Sequence, residues 1–192
     1  MAADDGFVPG TDQTLAELEA HASGPVAVAD SWLEAVLGHG RYDLAWLITD
    51  PVWRLVRAQA WVWNNRFVPG IQDRDRDELA EALAGPPGSD ALWESFATIE
   101  VNQYRTEWTD WNLDEMGYAS RPRPVGVDYE LVLFARGTEF RVYRKPTSVV
   151  SLPFLMHFVD GHWMVAHPGG DTIAMPGWPP DFPTGRESAK GV

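Results

Sequence analysis

An α+β domain, with helices packed against an antiparallel sheet, is what this sequence predicts, and three observations predict it. Apolar residues recur at helical spacing from Pro25 to about residue 65, the period turns to two from about Thr98, and Asp160-Gly161 separates two strand-like runs as a tight hairpin signal. Helices first and a hairpin-ended sheet afterwards is the order expected of helices segregated to one face of a sheet. The 192 residues suffice for a single core.

The elements follow in order. Residues 1–24 form a mixed amino-terminal segment with one short helical stretch, Thr14 to His21. Val28, Trp32, Leu33, Val36 and Leu37 then share one helical face over 25–38, with Pro25 in the first turn and Gly38 and Gly40 at the end. A short helix is expected over 42–48. Asp50-Pro51 supplies an N-cap and a first-turn proline for a third helix over 51–65. The charged stretch Asp73 to Ala84 is helix-prone and is stopped by Gly85-Pro86-Pro87-Gly88, after which Ser89 or Asp90 can cap a helix reaching Phe96. The alternation of Thr98, Glu100, Asn102, Tyr104, Thr106 and Trp108 with their neighbours predicts a strand over 98–108, and further strands are expected over 127–136, 148–159 and 162–167. The α+β domain therefore spans 25–168, and 169–192 is a Pro/Gly-rich extended tail.

Composition narrows the function. The absence of Cys excludes disulfides, a thiolate nucleophile and a Cys-built zinc site. Asp4 and Asp5 stand where a signal peptide would be basic, and no apolar run approaches the roughly 20 residues of a membrane helix, so a cytoplasmic protein without a membrane partner is expected. A net charge of −13 argues against nucleic acid as a partner. The charge is uneven: 51–76 and 121–147 are each net +3, either a solvated surface or an anion-facing wall or interface.

Ser31-Trp32-Leu33 in the first helix, Tyr42-Asp43-Leu44 opening the second, Asp50-Pro51, and the last strand Asp160-Gly161-His162-Trp163-Met164-Val165 together resemble the nuclear transport factor 2-like superfamily over residues 25–168. The resemblance implies helices in the concave face of a curved antiparallel sheet, a cone-like α+β barrel around a cavity, and it makes a homodimer a possible state. It departs from that pattern by placing a helix at 51–65 where the family commonly has a strand, and the Tyr and Asp set of the steroid isomerases cannot be placed. Members include isomerases, dehydratases, cyclases and noncatalytic binding or immunity proteins, so the fold does not select a chemistry.

No phosphate loop, dinucleotide fingerprint or nucleophile elbow occurs, Gly169-Gly170 lacks their flanking residues, and no cofactor or metal is expected; His157, His162 and His167 read as sheet histidines. Tyr104, His157 and Asp30 are the catalytic candidates, with Glu100, Tyr129 and His167 as further titratable groups, because each can sit where an apolar cavity shifts its pKa. Trp53, Arg57, Trp61 and Asn64 share a helical face, and Asn102, Tyr104 and Trp108 share strand parity with Glu100, so the two sets are the candidate ligand-binding walls. The bland alternative is a Trp-rich core with a snorkelling Arg. Two functions remain open: a pocket for a small hydrophobic or amphipathic, possibly anionic molecule, as binder or cofactor-independent isomerase, dehydratase or cyclase, and a noncatalytic acidic protein-interaction module.

Overall fold

The computed structural model describes residues 24–118, 121–136 and 150–181. Thr14 to His21, strand residues 148–149, the stretch 137–147 and the end of the tail lie outside the described residues. Among the described residues five α-helices precede the sheet: α1 (Pro25–Leu33), α2 (Tyr42–Leu47), α3 (Pro51–Asn64), α4 (Arg76–Ala84) and α5 (Trp93–Glu107). The widened turns of a π-helix, Glu34–His39, continue α1 until Gly40 stops it at φ 66°. Asp50 caps α3 as expected, its side chain accepting from the Val52 N–H, and Asp75 caps α4 through Asp77 and Glu78.

The sheet contains β1 (Met116–Tyr118), β2 (Arg123–Pro124), β3 (Tyr129–Arg136), β4 (Ser151–Val159) and β5 (His162–Pro168). Among the described residues every strand ladder is antiparallel; the order is β1-β3-β4-β5, with β2 also on β3. Asp160 and Gly161 both take positive φ, 52° and 85°, the conformation a two-residue hairpin turn requires. A bulge interrupts the β4–β5 ladder at Leu155/Met156. The described strands form an open sheet rather than a closed barrel, and Thr49 adds a parallel bridge to Val165 at the β5 edge.

One expected element is of the wrong type. Residues 98–108 are not a strand but most of α5, and the reason lies in which residues are buried: Trp93, Phe96, Glu100, Val101 and Tyr104 recur every three or four positions, while Thr98, Ile99, Asn102 and Thr106 face outward. Thr106 donates to the Asn102 carbonyl four residues back at 2.7 Å, as threonines in helices do. Thr98, Asn102 and Thr106 of the alternating set are the solvent side of a helix whose other side, with Glu100 and Tyr104, closes the core.

That core joins Trp32, Val36, Trp46, Phe96, Tyr104 and Trp108 to Val132, Phe134, Phe154, Met156 and Val165 of the sheet. Trp32 is its hub, meeting Tyr104 edge-on at 5.0 Å and Phe154 at 5.7 Å between centroids, while its N–H donates to the Thr49 hydroxyl at 2.9 Å. Residues 169–181 fold back as a strap: Ala174 is buried against Trp53 and Val56, the Gly177 N–H donates to the Gln59 side chain, and the Trp178 indole donates to Asp77. Among the described residues no helix is long and apolar enough to cross a membrane.

Candidate functional site

The third helix and α5 do bring Arg57 to Glu100, through two short bonds of 2.7 and 2.8 Å. Tyr42 donates to the same carboxylate at 3.2 Å, and Arg57 also donates to the Gln103 side-chain oxygen at 3.0 Å. The guanidinium carbon lies 5.9 Å from the ring centroids of both Trp53 and Tyr104. Burial opposes the charge on Arg57, yet Glu100 together with the Tyr104 and Tyr42 phenols outweighs it and the pKa rises. Burial also pushes the Tyr42 and Tyr104 phenols up, with Glu100 adding to both; Arg57 works in the opposite sense. At neutral pH this is a closed, charge-compensated cluster with protonated phenols.

The other residues singled out in the sequence are dispersed. Trp53 stacks on His167 at 4.2 Å, and Trp61 packs edge-on to Phe96, its buried indole N–H without a hydrogen-bond partner among the described residues. Asn64 is exposed at the end of α3, and Asp30 is exposed on α1, its pKa raised by partial burial and then by Glu34. His157 stands apart on β4, its Nδ1 2.7 Å from the Asp50 carboxylate and its ring parallel to Tyr129 at 4.2 Å. The carboxylate accepts, so Nδ1 carries the proton. His167 is buried, its Nδ1 2.7 Å from the Thr172 carbonyl, and desolvation lowers its pKa.

Asn102 and Trp108 line an open cleft of about 1200 Å³ between the carboxyl-terminal half of α5, β3, β4 and the turn after β5. Its apolar surface comes from Trp108, Trp111, Leu131, Leu133, Leu152 and Pro153; its polar points are Asn102, Gln103, Thr106, Glu107, Arg123 and Asp171. Gln103 matters most, because Arg57 can only donate. The Gln103 oxygen is therefore committed to Arg57, which leaves its NH₂ as the group available to the cleft. Gly169 and Gly170, which carry no sequence motif, form part of the wall for a steric reason. A Cβ on Gly169, at φ 79°, would fall 2.9 Å from the Trp108 ring, and one on Gly170 would run into the His167 ring.

Sequence reasoning missed Gln103, Trp111, Arg123 and the Gly169-Gly170 wall. The helix period of α5 is the signal that places Gln103 beside Glu107; the approach of β3 and β4 has no signature in the sequence. Four of the five arginines of 51–76 are engaged separately rather than on one basic wall: Arg57 pairs with Glu100, Arg74 with Asp90, Arg66 covers Trp63 and Phe67, and Arg76 covers Trp178.

No family model, no curated protein and no solved structure matches this chain. The geometry of the site stands alone.

Proposed function

We propose that this protein holds a small amphipathic molecule in the cleft between α5 and the sheet. The observation that carries the reading is the pairing of an apolar floor with a donor of fixed orientation, the Gln103 NH₂, backed by the buried Arg57–Glu100 pair. Arg123 supplies a second donor, so the ligand brings acceptors, a carbonyl, hydroxyl or carboxylate, on one end and an apolar body on the other. Glu107 and Asp171 also line the cleft, which disfavours a multiply charged anion.

The reading is one of binding rather than turnover, because Tyr104, His157 and Asp30 are not among the lining residues. It includes the architecture: a cavity domain on the nuclear transport factor 2-like plan, with the bulge at Leu155/Met156 supporting a curved sheet. Native mass spectrometry of the protein purified without detergent tests it. A bound small molecule, or uptake of one added dodecanoate, is expected, and Trp111→Ala weakens it. Bare protein that takes up neither dodecanoate nor dodecanol at millimolar concentration contradicts the reading.

A further inference from the structure

We infer that the other flank of α5 is a second binding groove, built for a short linear peptide with a free carboxyl end. Glu94, Thr98, Val101, Asn102 and Arg105 follow one another along a single face of the helix and line a cleft of about 650 Å³, closed on its far side by the turn His39–Asp43. Arg105 stands eleven positions after Glu94 on the helix, a length of about 16 Å at the helical rise, which an extended pentapeptide matches.

The two ends carry opposite charge. Arg105 donates to the Leu37 carbonyl at 3.2 Å and no carboxylate pairs with it among the described residues. Its guanidinium lies against Gly40, where a Cβ would stand 3.1 Å from Nη2, so the glycine both turns the chain at φ 66° and admits the cation. The neighbouring Arg41 is neutralised by a bidentate bond to Asp43 at 2.8 and 2.9 Å. Glu94 is exposed at the opposite end. Between them the floor is apolar, from Trp93, Ala97 and Val101, and Thr98 and Asn102 present exposed side chains that can pair with a peptide backbone.

A linear zwitterion complements this pattern: carboxylate on Arg105, ammonium on Glu94, small apolar side chains on the floor. A compact anion would use Arg105 and leave Glu94 unanswered. The groove shares Asn102 alone with the amphipathic-ligand cleft, and either can fail without the other.

The experiment is an NMR titration of labelled protein with the pentapeptide Ala-Leu-Ala-Leu-Ala, in three forms: both ends free, carboxyl end amidated, and amino end acetylated. The free form is expected to shift the amide signals of Gly40, Ala97 and Val101 saturably, with amidation weakening it about tenfold and acetylation by less. Arg105→Met should abolish the difference between acid and amide, and Glu94→Gln the difference between amine and acetyl. Equal affinity of the three forms for the wild type, or no saturable shift at these residues at millimolar peptide, overturns the inference. That wild-type comparison decides the matter even where a variant fails to fold.

Discussion

Arg57 was the residue whose chemistry promised most, and the structure gives it a partner within the protein. It is 7% exposed and Glu100 is 2% exposed, so neither charge can be left alone. Arg57→Met should therefore cost about 3–5 kcal/mol in denaturant unfolding, because it strands a buried carboxylate, whereas adding Glu100→Gln should recover much of the loss. A double variant no more stable than the single one would show that the two side chains do not compensate each other. His167 gives a second prediction at this scale. Desolvation holds its pKa below the ordinary value, so the fold favours neutral imidazole; its contribution to stability is complete above the unfolded pKa of about 6.5 and is lost as pH falls below it. The thermal midpoint of the wild type should fall between pH 7.5 and pH 5 by more than that of His167→Phe, and parallel curves would exclude the residue as a source of acid sensitivity. For α1 and its π-helical continuation the buried residues Val28, Trp32, Leu33 and Val36 were legible in the sequence from their periodicity. Which polar residues would meet was not, because Arg57 and Glu100 lie on separate elements whose approach depends on all the packing between them.

At the scale of elements, α1 to α3 and the last three strands could be read from caps, prolines and the Asp160-Gly161 turn, all of which are local signals. The failure at 98–108 is equally physical. Tyr104, Thr106 and Trp108 favour strands in isolation, but the spacing Trp93, Phe96, Glu100, Tyr104 makes one continuous buried face only when wound as a helix, and tertiary burial overrides propensity. The turn after β5 shows the same limit, since the need for glycine at 169 and 170 arises from rings brought there by α5 and β5. Gly170→Ala should destabilise by about 1–3 kcal/mol, since the added methyl displaces the His167 ring from Trp53. Chemical denaturation measures this, and an unchanged midpoint would mean that the turn moves freely. Because the same turn lines the cleft, ligand uptake should weaken in parallel.

At the scale of the whole molecule, the strap 169–181 joins the sheet end to α3 and α4, so the chain after β5 belongs to the folded body as far as Asp181. Ending the chain at Pro168 should lower Tm by more than about 5 °C, and ending it at Gly185 should change Tm by less than that; calorimetry of both truncations checks it. The central claim is that the cleft beside α5 takes an amphipathic molecule, and tryptophan emission tests it most directly. A terminally brominated dodecanoate seated against Trp108 and Trp111 should quench that emission along a saturable curve, and the saturation should disappear in Leu133→Lys, which puts a charge on the apolar floor. Linear, unsaturating quenching, identical in the wild type and in Leu133→Lys, would contradict the account.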